Sequence, residues 1–367
     1  MSTVSVPDLV DAPVEDLLTL TAALVAVPSV SRHEGELADR VELRLAERAP
    51  HLERARVGNT VIARTQLEAD RRIVLGGHLD TVPANGNETP RLDGDVLHGL
   101  GSADMKGGLA VLLRLAEEIS AGARPRFGCT LAFYEGEEIA EEFNGLQHVF
   151  AERPELLAGD FAVLLEPTGG RVEAGCQGTL HLRAHFAGER AHSARPWKGR
   201  NAIHAAAPAL HRLAEHEPGT VTVDGLPYRQ SLQVVRIEGG VANNVVPDSC
   251  TLVVNRRFAP SYSVDEARVE VEELLTGADR IEVVNASPAA PPNLDHPLVA
   301  EFVETLGVEV EPKLGWTDVA RFAARGVPAV NFGPGDPDVA HTAGEQVTRE
   351  SVERCYAALV GFLGVAG

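Results

Sequence analysis

Histidine and carboxylate side chains recur at five points of this chain where the residue pattern places a strand end or a loop. GGHLDTVP (76–83) supplies His78 and Asp80, and GLGSADMKGG (99–108) supplies Asp104. LAFYEGEEIAEEFNG (131–145) carries Glu135, Glu137, Glu138, Glu141 and Glu142, LLEPTGG (164–170) carries Glu166, and VAHTAGEQV (339–347) carries His341. Mixed imidazole and carboxylate donors suit zinc, or cobalt and manganese, better than calcium or copper. Two divalent cations about 3.5–4 Å apart need one shared carboxylate and capping ligands on either side. Two histidines and three acids supply that stoichiometry. His78 and Asp80 are two apart, so an extended chain projects them to one side, and a nearby Asp fixes the tautomer of a metal-binding imidazole. Taken singly, each piece has a plainer explanation. A strand-end His is usually structural, Asp104 can cap a helix, and a glutamate run usually faces solvent at a helix start. All five in this order form a strong signal.

The elements that must position them alternate in kind. GELADRVELRLAER (35–48) has helical spacing, and RARVGNTVIAR (54–64) reads as a hairpin around Gly58-Asn59. RRIVLGG (71–77), CTLAFY (129–134) and DFAVLL (160–165) read as strands, and GGLAVLLRLAEEI (107–119) as a helix. This alternation predicts an α/β layer with a mainly parallel sheet, whose ligands gather beyond the carboxyl ends of the strands. The middle differs. Strands at 178–188, 231–240, 249–258 and 280–284, with helices at 201–216 and 264–275, predict an α+β domain of about a hundred residues. It ends at the Pro-rich linker SPAAPPN (287–293), after which helix and strand alternation resumes. The expected layout is an α/β domain in two parts, 1–177 and 290–367, interrupted by a smaller domain at 178–289.

Bulk composition excludes several functions. The 367 residues are 44% hydrophobic and 23% charged, as in ordinary globular chains, and carry a formal net charge of -20. That balance argues against a nucleic-acid or anionic-membrane surface. Cys129, Cys176, Cys250 and Cys355 form no CxxC pair and read as reduced core thiols of an intracellular protein. LLTLTAALVAV (17–27) is too short to span a bilayer and reads as a first core helix stopped before Pro28. With no export signal evident, the expected location is the cytoplasm.

GGHLDTVP, GSADMKGG, EGEE, LEP and AHTAGE, in this order and at roughly these spacings, resemble the di-zinc aminoacylase/carboxypeptidase superfamily over almost the whole chain. The resemblance implies a zinc-exopeptidase-like catalytic domain with a mixed, mainly parallel sheet. The inserted domain would be a ferredoxin-like α+β lid that also makes a homodimer through residues 178–289. Carried over position by position, His78 and Glu166 would bind one Zn(2+), and Glu138 and His341 the other. Asp104 would bridge them, with cobalt or manganese as alternative metals. Asp80 would lie behind His78, and Glu137 would be the general base, not bound to metal. His192, in GERAHSARPWKGRNAIH (188–204), matches the family histidine that reaches the partner subunit's site, and Asn244, before Val245-Val246-Pro247, matches its asparagine motif. Arg257 in NRRF, and Thr317 and Arg321 in GWTDVARF, resemble substrate anchors; arginine forks match carboxylates. The substrate expected is a small N-acylated amino acid. CQGTL, RAHSARPWKGRNAIHAA and GWTDVARFAARGVPAVNFGPGDP most resemble the actinobacterial branch that removes succinate from N-succinyl-diaminopimelate. Gln177 stands where better-known members carry an arginine, and the 316–321 loop has an extra residue; Arg195 or Arg200 could compensate. Acetylornithine deacetylase, a dipeptidase, and a non-catalytic metal-dependent binding protein are the alternatives.

Overall fold

Several helices start where a side chain takes up their first amides. In the computed structural model, which describes residues 6–67 and 69–365, α1 (Leu17–Val25) begins at Asp16, whose carboxylate accepts the Thr19 N–H. It stops at Val25 rather than Val27, consistent with Pro28 disfavouring helical backbone at the residue before it. α2 (Gly35–Arg48) turns Leu37, Val41 and Leu45 inward. β1 (Glu53–Val57) and β2 (Thr60–Arg64) form the expected hairpin across Gly58-Asn59. Then come β3 (Arg72–His78), the short β4 (Arg91–Asp93) and β5 (Val96–His98), α3 (Gly107–Ser120) and β6 (Gly128–Tyr134). α4 (Gly145–Glu152), capped by Asn144, precedes β7 (Phe161–Leu164) and β8 (Val172–Ala174).

The middle of the chain follows with β9 (Gly178–Ala187), α5 (Ala202–Glu215), β10 (Thr220–Val223), β11 (Leu226–Arg229), β12 (Ser231–Gly239), β13 (Ser249–Phe258), α6 (Val264–Leu274) and β14 (Arg280–Ser287). The last part contains α7 (Pro297–Leu306), β15 (Val310–Pro312), α8 (Val319–Ala323), β16 (Ala329–Asn331), β17 (Gln346–Thr348) and α9 (Arg349–Leu363).

Two units result: Met1–Ala174 with Asn293–Glu311 and Arg321–Gly367, and Gly175–Pro292 with Pro312–Ala320. The second therefore takes a segment from within 290–367, and Thr317 goes with it.

In the first unit an eight-stranded sheet runs in the order β1-β2-β6-β3-β7-β16-β8-β15. Its centre, β6-β3-β7-β16, is parallel, and antiparallel pairings join the hairpin and β8 to it. Every residue of β6 and β7 is buried, as strands covered on both faces require. Phe161, Phe302, Phe332 and Phe362 pack edge to face beneath the sheet at centroid distances of 4.8–6.1 Å. The parallel centre matters for function, because β3, β6 and β7 all end on one side of the sheet, at His78, just before EGEE and just before LEP. A small sheet, β17-β5-β4, ties the loop after residue 340 to the strand before Asp104.

The second unit is a four-stranded antiparallel sheet, β12-β13-β9-β14, with α5 and α6 on one face. Alternation along β9 sends Leu180, Leu182, Ala184 and Phe186 against Ala206, Ala209, Ala267 and Val271. The opposite residues of β9 and β13, among them His181, Asn255 and Arg257, lie on the other face. The β10–β11 hairpin (220–229) has no counterpart in the sequence reading; Asp224-Gly225, both with positive φ, form its turn. All four cysteines are buried free thiols; burial pushes Cys129 up to about 12 and Cys176 to about 11.

Candidate metal centre

Of the twelve site residues expected from the sequence, His78, Asp80, Asp104, Glu137, Glu138, Glu166, His341 and Arg321 lie in the first unit. His192, Asn244, Arg257 and Thr317 lie in the second. Seven of the first group gather beyond the strand ends. His78 closes β3, and its Nδ1–H donates to the Asp80 carbonyl at 2.9 Å. A carbonyl can only accept, so Nε2 is the nitrogen left to face outward. It lies 3.0 Å from Asp104 Oδ1. His341, with φ of 62°, places Nε2 at 2.8 Å from Glu138 Oε1 and 3.2 Å from Asp104 Oδ2. Donor atoms of His78, Asp104 and Glu166 lie within 4.8 Å of one another, as do those of Asp104, Glu138 and His341, and those of His78, Glu137 and Glu138. Asp104 is common to the first two clusters.

This arrangement fits metal. A tetrahedral ion with bonds of about 2.0–2.1 Å spaces its ligand atoms about 3.3 Å apart, close to the 2.8–3.2 Å separations here. His78, Asp104 and Glu166 could hold one ion; Asp104, Glu138 and His341 could hold a second. Without metal the same groups pair as ions. Burial lowers the His78 imidazole, but the hydrogen bond to Asp104 and nearby carboxylates outweigh it and raise it well above its usual value. Hydrogen bonds to Asp104 and Glu138 push His341 up to about 10. Burial would raise Asp104, yet the two imidazoles hold it below the ordinary carboxylate range.

Asp80 does more than stand behind His78. Its carboxylate is 3.6 Å from Nδ1, farther than its own carbonyl. Instead, it accepts the backbone N–H of Glu137 at 3.0 Å, the N–H of Glu138 at 3.1 Å, and the Ser31 hydroxyl at 2.8 Å. One fully buried acid thus holds both glutamates in place. Gly136 permits the turn, with φ of 69° and space for a Cβ blocked by the Phe143 carbonyl at 2.2 Å.

The five glutamates of 131–145 therefore divide by task. Glu135 accepts from Asn59 N at 2.7 Å and Asn59 Nδ2 at 2.8 Å, clamping the β1–β2 turn. Glu137 and Glu138 join the cluster. Glu141 and Glu142 are exposed in a single 3-10 turn, where helix-start residues were expected. Glu141 accepts from Arg321 Nη1 at 3.0 Å, and Gln147 Oε1 accepts from the same nitrogen at 3.4 Å. Arg321 is buried and already engaged, which differs from an open substrate anchor.

In the second unit, the His192 and Asn244 loops pair: Ser193 N–H donates to the Asn244 carbonyl at 2.9 Å, and His192 bridges Val245. Both side chains are exposed. Arg257 is half-buried on the sheet face opposite the helices, whereas its neighbour Arg256 is buried against Glu270 and Gln230. Gln177, which stands where better-known members carry an arginine, is buried and donates to the Arg229 carbonyl at 2.8 Å. Arg195 and Arg200 are exposed.

Glu345, the last residue of AHTAGE, is a further functional residue that the motif resemblance leaves without a role. Its side chain is 2% exposed. Oε1 accepts the N–H groups of Ala103 and Asp104, and Oε2 that of Gly101, each at 3.0 Å. An acid four residues after a loop histidine was the available signal. Lys106, also buried, donates to the Leu24 and Val27 carbonyls at 3.2 and 2.9 Å and anchors the far end of the Asp104 turn.

Comparisons with known proteins follow the same lines. The profile of Peptidase family M20/M25/M40 matches residues 74–364. The succinyl-diaminopimelate desuccinylase of Corynebacterium glutamicum is 42% identical over 354 residues, 95% of this chain and 96% of that protein. A Mycobacterium tuberculosis (strain H37Rv) relative, whose name assigns it the same activity provisionally, is 47% identical over 95% of this chain and 98% of its own. The crystal structure of the Bacillus subtilis YXEP protein, described as a dinuclear metal-binding peptidase of the M20 family, superposes with a TM-score of 0.69 at 16% identity. It covers 96% of this chain and 99% of that one, a likeness of fold.

Proposed function

The chain belongs to peptidase family M20/M25/M40, and from that membership we propose that it is a metal-dependent amidohydrolase. It removes succinate from N-succinyl-LL-2,6-diaminopimelate and releases LL-diaminopimelate, a lysine and cell-wall precursor. The reading rests above all on the 42% identity, over nearly the full length of both chains, to a named desuccinylase.

We assign His78 and Glu166 to one ion, Glu138 and His341 to a second, and Asp104 to both; zinc suits these donors, with cobalt or manganese as alternatives. When bound, such a pair lowers the pKa of water and polarises the scissile carbonyl. Glu137 is the general base. It takes a proton from the attacking water as the water oxygen bonds to the succinyl carbonyl carbon, then gives it to the departing amine as the C–N bond breaks. Asp80 is a positioning group that fixes the Glu137 and Glu138 amides.

His192 and Asn244 are proposed to serve the oxyanion and substrate from the partner subunit of a homodimer. Arg257 and Thr317 are proposed for the substrate's carboxylates. Arg321, proposed for the same role by resemblance, would have to leave its Glu141 partner to bind a carboxylate. The exposed β12 edge, with Val235 58% and Ile237 52% exposed, supports a homodimer made through the second unit, since such an edge seeks a strand or partner to cover it. No helix among the described residues is long and apolar enough to cross a membrane, and we place the enzyme in the cytoplasm.

A steady-state comparison of N-succinyl-LL-diaminopimelate, N-acetylornithine and simple dipeptides tests the substrate. We expect kcat/KM for the first to exceed the others at least about a hundredfold, because a site built for a carboxylate leaves polar groups unpaired with analogues lacking it. A better rate with either alternative overturns the substrate and leaves the amide-hydrolase chemistry to be judged by that rate.

A further inference from the structure

Asp104 belongs to both the His78–Glu166 and the Glu138–His341 donor clusters, yet the backbone that carries it has little regular structure. It sits in a tight turn, Ser102–Lys106, where Asp104 and Met105 depart from helical angles. Three amides at the start of this turn, that of Gly101 just before it and those of Ala103 and Asp104 within it, point into one buried carboxylate, that of Glu345. The backbone of Glu345 adds a fourth tie, accepting the Gly99 N–H at 3.1 Å. Glu345 itself lies four residues after His341. Its amide donates to the Thr342 carbonyl at 3.2 Å, and Asn87 Nδ2 donates to the same carbonyl at 3.1 Å. The loop carrying one proposed ligand therefore grips, through a side chain, the turn carrying another.

We propose that Glu345 is a positioning residue that couples the Asp104 turn to the His341 loop and so sets the affinity for both ions. The inference rests on the assignment of Asp104 and His341 as metal ligands. An ordinary buried acid would stabilise the fold without selecting these amides. Glu345 instead fixes the peptide N–H of the ligand Asp104 and that of its preceding residue. Because Asp104 belongs to both the His78–Glu166 and the Glu138–His341 clusters, loosening the turn weakens both binding steps.

The test is metal binding by purified, chelator-stripped full-length protein, titrated with Zn(2+) against a competing chromophoric chelator, with no substrate present. Wild type should bind two ions; if it binds none, the metal assignment itself fails, whatever Glu345 does. Glu345→Gln should bind roughly tenfold more weakly. Its amide oxygen can keep the Ala103 and Asp104 donors, but its NH2 group meets the Gly101 N–H donor to donor. Glu345→Ala, which loses all three bonds, should bind up to about a hundredfold more weakly, the range that groups supporting a ligand command. Thr348→Ala removes only the cap of α9, where the Thr348 side chain accepts the Ser351 N–H. It should lower the thermal midpoint while leaving both affinities within twofold of wild type. If Glu345→Ala does not fold, Glu345→Gln decides alone. Glu345→Gln within twofold of wild type at both steps overturns the proposal. So does Thr348→Ala weakening metal as much as Glu345→Gln at an equal loss of thermal midpoint.

Discussion

At the scale of single residues, the decisive question is which carboxylates hold metal and which move protons. Glu137→Gln keeps the size and the backbone N–H that Asp80 accepts, so we expect about two metals per subunit to be retained. Turnover should fall by roughly 10²–10⁴-fold, the usual contribution of a general base. Metal analysis alongside kcat checks this, and near-normal kcat removes Glu137 from the mechanism. The histidines predict a pH effect of definite sign. His341 is raised to about 10 by its hydrogen bonds to Asp104 and Glu138 in the metal-free chain. Its contribution to the stability of that chain is therefore complete below its ordinary pKa of about 6.5 and lost as pH rises through about 10. Metal needs the neutral imidazole, so loading runs the other way. Zinc affinity should weaken as pH falls, and binding near neutral pH should release protons. Calorimetry in buffers of different ionisation enthalpy measures that release, and identical heats would contradict it. These candidate ligands stood out because each lies just beyond an apolar strand pattern or in a loop, where side chains from separate segments can converge. The task of Glu135 was not, because its partner Asn59 is 76 residues away in sequence and no local pattern links them.

At the scale of elements, the parallel centre of the sheet was readable from apolar runs and helix spacing, and β3, β6 and β7 fall within a residue or two of where hydrophobic pattern puts them. The short pieces were not. β4, β5 and β17 have three residues each, too few to show a period, and they exist because the turns they flank must be held. The turn at Gly136 makes the same point mechanically. Gly136→Ala sets a Cβ against the Phe143 carbonyl at a φ of 69°, which should cost about 1–3 kcal/mol in denaturant unfolding. Because Glu137 and Glu138 follow directly, metal should be lost with it. A variant with full metal content and unchanged stability would mean that the loop is more yielding than its packing implies.

At the scale of the whole molecule, the proposed homodimer predicts that catalysis is shared between subunits. Homodimers of His192→Ala and of Glu137→Ala, mixed and allowed to exchange, should recover part of the wild-type rate through hybrids. Exchange proven by mass spectrometry without recovery would confine each site to one chain. Ile237→Lys on the exposed β12 edge should shift sedimentation towards the monomer, since a charge there opposes edge pairing. The interruption of the first unit carries a further meaning. Its proposed ligands run from His78 to Glu166, and then nothing is added until His341, with Glu345 close behind, near the end of the 367 residues. Chains fold from the amino terminus as they are synthesised, so a ribosome must deliver the whole second unit and then His341 before the cage can close. Until then the growing polypeptide presents four of the five proposed ligands, and the cell's metal supply meets a finished pair of sites only once His341 has emerged.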